Sequence, residues 1–219
     1  MKDKKTIDPN FFKLNLTMTA PLFTLEPSEY LTQAEGEIIL WEEERDTLAG
    51  HITLTLYQFG RAEVQGQHPR EVFDYLSEES LELYQEIYDG FHLREEVRAI
   101  VDDVLSPSLL VIETVEVLPQ FRGGGLGLAA ALKAMHMLGP AAGIVALIAA
   151  PLNPDVSNEG MKMEEFAPDS PLVREKLGRY WKRLGFRRFG CDGLLLRNME
   201  NLPLVGEVLA QWNKKRKDQ

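Results

Sequence analysis

Apolar and polar residues alternate from position 12 to 18, which predicts a first strand ended by Pro21 and Pro27. Residues 36–43 and 51–59 predict two more. In the second of these, Ile52, Leu54 and Leu56 share one face, and Thr53, Thr55 and Tyr57 share the other. The polar Glu44-Arg45-Asp46 between them predicts an antiparallel hairpin. From Pro69 to Leu105 the spacing turns helical: Val72 with Leu76, then Leu81, Tyr84 and Tyr88, then Val97, Ile100 and Val104, interrupted at Gly90. Seven acidic residues, Glu78, Glu79, Glu82, Glu86, Asp89, Glu95 and Glu96, fall in this stretch. They form either a solvated helix face or a wall that recognises a cation.

Beyond residue 105 the apolar runs lengthen. Residues 109–117 and 143–150 predict two core strands, and the second, apolar on both faces, predicts a buried central position. The helix between them turns Leu128, Leu132 and Met135 to the core and stops at Gly139-Pro140. His136, near its C-terminus, is suited to a structural role there. A long loop at 152–170 contains Met161, Met163 and Phe166, which either cover a site or anchor the loop. Ser170 as N-cap and Pro171 at the first helical position open a last helix. Its buried stripe is Val173, Leu177, Tyr180, Trp181 and Leu184, and Gly185 is its stop.

Composition narrows the class. With 219 residues, 44% hydrophobic and 26% charged, the chain can bury one substantial core. We expect a single domain over 1–219, with a helical insertion at 66–105 and a C-terminal tail at 200–219. The longest apolar stretch, 141–151, is too short to span a bilayer, so no membrane residence is expected. A single cysteine, Cys191, makes no internal disulfide, and a reducing cytoplasmic location follows as the expectation. The net charge of −10 argues against nucleic acid and for small cationic partners. Only the tail Lys214, Lys215, Arg216 and Lys217 is read as basic.

The candidate chemistry sits where the first core strand ends. Val115-Glu116-Val117-Leu118-Pro119 runs into Gln120-Phe121-Arg122-Gly123-Gly124-Gly125-Leu126-Gly127 and then directly into an alanine-rich helix. Glycines let main-chain N–H groups converge on an anion, and the helix start adds unpaired donors and a positive dipole end. A P-loop is excluded, because no Gly-Lys-Ser/Thr follows the glycines. A dinucleotide-binding fingerprint survives as Gly125, Gly127 and Ala130, with Asp155 downstream, but Pro119 to Arg122 intervene between strand and glycines.

The run Gln120-x-x-Gly123-x-Gly125, preceded by Val-x-Val-x-Pro, resembles the pyrophosphate-binding motif of the GNAT superfamily of acyl-CoA-dependent N-acetyltransferases. Tyr180-Trp181-Lys182-Arg183-Leu184-Gly185-Phe186 resembles that family's aromatic-aromatic-x-x-x-Gly-Phe ending. The two segments stand in the family's order and cover residues 105–196. The resemblance implies an α/β fold with a mixed, largely antiparallel central sheet, splayed core strands and flanking helices. The family carries its helical pair between its first two strands, whereas here the helical stretch follows the hairpin.

The same resemblance implies acetyl-CoA as cosubstrate and no metal. Val115, Val117, Gln120, Arg122, Gly123, Gly124, Gly125, Leu126 and Gly127 are the expected cofactor contacts. Asn153, at the end of the second core strand, is a further contact or a turn residue beside Pro154. In the family a tyrosine at the second aromatic position protonates the leaving thiolate, and here that position holds Trp181, whose indole is far too weakly acidic. Tyr180 lies about 100° away around a helix and is either the replacement acid or a core aromatic. The base is sought in Glu113 and Glu116. Simple alternation puts Glu113 on the face of Val115 and Val117 with Glu116 opposite, a parity that a bulge would spoil; Glu113 is preferred. The expected reaction is direct attack of a primary amine on the thioester, with a homodimer compatible. A non-catalytic acyl-CoA-binding module and, more remotely, an NAD-dependent oxidoreductase are the alternatives.

Overall fold

The alternating segments become strands β1 (Phe12–Thr19), β2 (Leu31–Leu40) and β3 (Thr47–Tyr57), paired antiparallel in sequence order as the hairpin reading requires. The computed structural model describes residues 11–19, 27–42, 45–150, 171–190, 193–200 and 202–208. Asn153, Asp155, Met161, Met163, Phe166, Ser170, Cys191 and the basic tail lie outside them.

Chain direction changes character at Tyr57 rather than at residue 59. Phe59 opens helix α1 (Phe59–Val64), and α2 (Pro69–Leu76) and α3 (Glu78–Ile87) follow. Ser77 separates the last two by capping α3, its hydroxyl accepting from the Ser80 N–H at 3.2 Å. The break at Gly90 is a two-residue hairpin, β4 (Tyr88–Asp89) with β5 (His92–Leu93), before α4 (Glu95–Val101). All seven acidic residues of this region are exposed. The chain then forms β6 (Leu109–Val117), α5 (Leu126–Leu138), β7 (Ile144–Ile148), α6 (Pro171–Trp181), β8 (Arg187–Phe189) and β9 (Leu194–Asn198).

Seven strands make one mixed sheet in the order β1-β2-β3-β6-β7-β9-β8. Every neighbouring pair is antiparallel except β6 with β7. Helices cover both faces. On one side Leu128, Leu132 and Met135 of α5 and Trp181 of α6 pack on Ile52, Leu54, Leu110, Ile112, Val145 and Leu147. On the other side α1 to α4 bring Phe59, Val72, Phe73, Tyr84 and Val97 against Tyr57, Leu109, Val111, Ile144 and Ala146. Strand β7 thus contributes alternate residues to both cores, as its doubly apolar pattern requires.

Two local departures position the site. Strands β6 and β7 pair at only three positions, Leu109–Ile144, Leu110–Val145 and Val111–Ala146, and beyond Val111 neither has a registered partner in the other. Pairing of β3 with β6 also skips one residue: Leu54 faces Ile112 and Thr53 faces Thr114, leaving Glu113 as an extra residue. This bulge reverses the parity of the strand end, so Val115 and Val117 join Ile112 on the α5 side, and Glu113 does not share their face. Simple alternation is thereby corrected.

The segment expected to be a free tail from residue 200 is partly packed. Leu202, Val205 and Val208 lie against the α5-side core, and the Pro203 carbonyl is 2.9 Å from His136 Nε2. Their three-residue spacing gives one apolar stripe, and His136 has the structural role expected of it.

Candidate functional site

The glycine-rich turn carries the conformations that only glycine adopts without strain. Gly123 (φ +92°) and Gly125 (φ +77°) are left-handed, and Gly125 is the N-cap of α5. A Cβ on Gly123 would meet nothing within 4 Å, so that glycine serves backbone geometry and open space rather than packing. Among the described residues no carbonyl or side chain accepts from the N–H groups of Gly123, Gly124, Gly125, Leu126 or Gly127. Among the described residues these five consecutive main-chain donors have no acceptor, around a helix start that carries partial positive charge. Arg122 anchors the turn, its Nε donating to the Val117 carbonyl at 2.7 Å, and both Arg122 and Gln120 are exposed.

The Tyr180 side chain reaches this turn. The Tyr180 hydroxyl lies 3.0 Å from where a Gly127 Cβ would stand, with the methyls of Val115 and Val117 at 3.3 and 3.4 Å. The glycine at 127 is thus a close-approach position. The Leu128 N–H donates to the Tyr180 oxygen, an unpaired donor of the first helical turn finding its acceptor. Burial raises the phenol's pKa above its ordinary value, and the Leu128 bond and the nearby Arg183 charge offset part of that. Trp181 is a core residue: it is 7% exposed and packs edge-on to Tyr180 and Phe186, with ring centroids 5.3 and 5.8 Å apart. Of the two adjacent aromatics, the tyrosine is the one that touches the turn.

Glu113 lies across the sheet, two residues past the last β6–β7 pair. Its residue surface is exposed, yet surrounding protein crowds the carboxyl. This desolvation raises its pKa above the ordinary carboxylate value, and a hydrogen bond from the Thr55 hydroxyl offsets part of the effect. Tyr57 adjoins it and donates to Ser80 Oγ at 3.1 Å, which lies 3.1 Å from Ser77 Oγ. The Tyr57 phenol is pushed up to about 12, first by burial and in lesser part by the Glu113 charge, against the Ser80 bond. Glu116 is exposed opposite His51 and joins none of these contacts.

Of the residues singled out from the sequence, Val115, Val117, Gly127 and Tyr180 meet at one place, with Gly123 to Leu126 forming the turn beside them. Glu113 stands on the opposite face. Thr55, Tyr57 and Ser80 around it were not singled out, although the alternation that puts Thr55 and Tyr57 on one face was visible. A separate depression of about 170 Å³, lined by Asp102, Gly185, Arg187 and Arg197 among others, lies at the opposite end of the strands from the glycine turn. Among the described residues no group of three or more His, Cys, Asp or Glu side chains is placed to hold a metal ion, and no helix is long and apolar enough to cross a membrane.

No protein-family profile and no curated protein matches the chain. One solved structure, "The crystal structure of KacTA-DNA complex", aligns over 94% of this chain and 100% of that chain, with a TM-score of 0.39 and 11% identity. A likeness this distant bears on neither fold nor activity.

Proposed function

We propose that the chain is a GNAT-type acyltransferase that moves an acetyl group from acetyl-CoA to a primary amine. The observation that carries this reading is the run of donors from Gly123 to Gly127 beyond the end of β6, whose stretch from Ile112 to Val117 has no registered partner in β7. A diphosphate fits such a donor set, because two negative groups on adjacent atoms need several N–H groups converging without Cβ interference. The gap between β6 and β7 offers the adjoining pantetheine arm a path into the sheet, with free strand edges as hydrogen-bonding partners. When bound, acetyl-CoA supplies the activated acyl carbonyl.

The chain's own residues then divide by face. Glu113, its pKa raised by crowding and its carboxylate thereby made a stronger base, accepts the proton of the incoming ammonium from the α1–α4 side. Tyr180, protonated well beyond neutral pH and touching the turn, donates to the departing thiolate from the α5–α6 side. Tyr180 takes the role that the family gives to the position of Trp181, because here Trp181 belongs to the core. The chain's negative charge raises the local concentration of cationic acceptors.

Acetyl-CoA at about 100 times its Kd should stabilise the fold by about 2.7 kcal/mol, which raises Tm by about 5–10 °C in a chain of this size. Thiol release across a panel of primary amines reads turnover. No thermal shift at saturating acetyl-CoA contradicts the reading, and a shift without release on any amine leaves a binding module.

A further inference from the structure

The two edges of the large sheet differ in how well they are guarded. Strand β8, at one edge, is three residues long and two of these are arginine, a short charged edge that discourages further pairing. Strand β1, at the other, runs eight residues with no proline, no bulge against β2 and a single charged side chain, Lys13. That charge is held within the chain, Lys13 Nζ lying 2.5 Å from an Asp46 carboxylate oxygen. Among the described residues no strand pairs with the outer side of β1. A chain of net charge −10 thus presents a nearly uncharged strip of open sheet edge.

The main-chain groups on that edge follow from the register. The Trp41 N–H donates to the Phe11 carbonyl at 2.7 Å, and β1 continues along β2 without a break from Phe12–Leu40 to Thr19–Gln33. Antiparallel bonding alternates along a strand, so Lys13, Asn15, Thr17 and Thr19 bond to β2. Phe12, Leu14, Leu16 and Met18 consequently turn their N–H and C=O groups outward. The side chains of these four lie on the α5 side, where Leu14 and Leu16 meet the core and Phe12 is edge-on to Phe121, with centroids 6.0 Å apart. Met18 continues the row but is 59% exposed.

We infer that β1 pairs antiparallel with β1 of a second copy of this chain, about a two-fold axis at Asn15. This centre uses every outward group: Phe12 pairs with Met18 and Leu14 with Leu16, in both directions. An axis at Leu14 leaves Met18 without a partner in the strand, and an axis at Leu16 does the same to Phe12. The pairing also lays the exposed Met18 of each copy beside Phe12 of the other. Charge is complementary across the seam. Lys13 faces Thr17 of the second copy, whose neighbour on β2 is the exposed Glu35, about 10 Å away over two strand spacings and within reach of two long side chains. The two Asn15 residues meet at the axis and hold Glu37 of one copy about 14 Å from Glu37 of the other.

The test is sedimentation equilibrium of the full chain over a dilution series, with wild type beside Thr17→Lys and Thr17→Glu. Position 17 is exposed, so both variants should keep the fold, which urea unfolding checks. The wild type should reach twice the monomer mass. Across the seam Thr17→Lys sets a lysine against Lys13 twice per dimer, and it should raise the dimer dissociation constant about tenfold. Thr17→Glu offers Lys13 the opposite sign and should lower the constant or leave it unchanged. Net charge alone gives the reverse order, since a lysine brings a chain of −10 closer to neutrality and a glutamate takes it further away. A wild type that stays monomeric at every concentration overturns the pairing, and so does a dimer that Thr17→Lys weakens no more than Thr17→Glu does. Neither result bears on the acetyl-CoA reading.

Discussion

Replacing Tyr57 with phenylalanine tests whether the Glu113 side of the sheet is as crowded as its packing indicates. The Tyr57 ring stacks on Phe73 with centroids 4.1 Å apart, the residue is 1% exposed, and its hydroxyl reaches Ser80 on α3. Its pKa is raised from 10.0 to about 12. The folded state therefore holds this proton more strongly than the unfolded chain, and stability falls as pH rises between the two values. Two units correspond to about 2.7 kcal/mol over the whole window, of which about 1.4 kcal/mol is lost by pH 11. Urea unfolding of wild type and Tyr57→Phe at intervals from pH 7 to 11 isolates the contribution, because every other group titrates in both proteins. The variant should be less stable at pH 7 by about 1 kcal/mol for the lost Ser80 bond, and the gap should close or reverse by pH 11. A difference that stays constant with pH would refute the crowded setting of Tyr57, and with it the cause assigned to the raised pKa of Glu113.

Three further outcomes are expected. Tyr180→Phe should lower kcat about 100-fold or more with little change in the KM for acetyl-CoA, and lower stability by about 1 kcal/mol as the Leu128 N–H loses its acceptor; an unchanged kcat would remove Tyr180 from the chemistry. Burial disfavours the charged form of Glu113, so its contribution to stability is full at low pH and declines as pH rises through the raised pKa. Glu113→Gln should consequently be no less stable than wild type at pH 7, while the rising limb of kcat/KM against pH disappears; a retained limb assigns the base elsewhere. Gly50→Ala should destabilise by about 3 kcal/mol in urea unfolding, since its Cβ would stand 2.1 Å from the Glu116 carbonyl oxygen, backbone against backbone; a loss under about 1 kcal/mol would show that β3 and β6 separate easily there.

Strand β6 was legible to the residue because the apolar run Leu109 to Ile112 is continued by the β-branched Thr114, Val115 and Val117 up to Pro119, and the β2–β3 hairpin followed from two alternating segments joined by charged residues. The side of the sheet on which Glu113 falls was not legible. A bulge exists only relative to the register of the partner strand, and nothing within 109–117 marks it. Phe59 continues the apolar spacing of β3, so the strand's end at Tyr57 is set by the packing of α1 rather than by any local stop. Leu202, Val205 and Val208 were passed over because so short a stripe, followed by a basic run, resembles an unstructured end.

The central claim is that the main-chain donors of Gly123 to Gly127 grip a diphosphate while the thiol arm enters the gap between β6 and β7. A crystal structure of the chain with acetyl-CoA bound tests it most directly. The predicted result has phosphate oxygens within hydrogen-bonding distance of these N–H groups and the sulfur within reach of the Tyr180 hydroxyl. A ligand seated elsewhere with the turn empty, or a β6–β7 gap closed by side chains around it, would contradict the account.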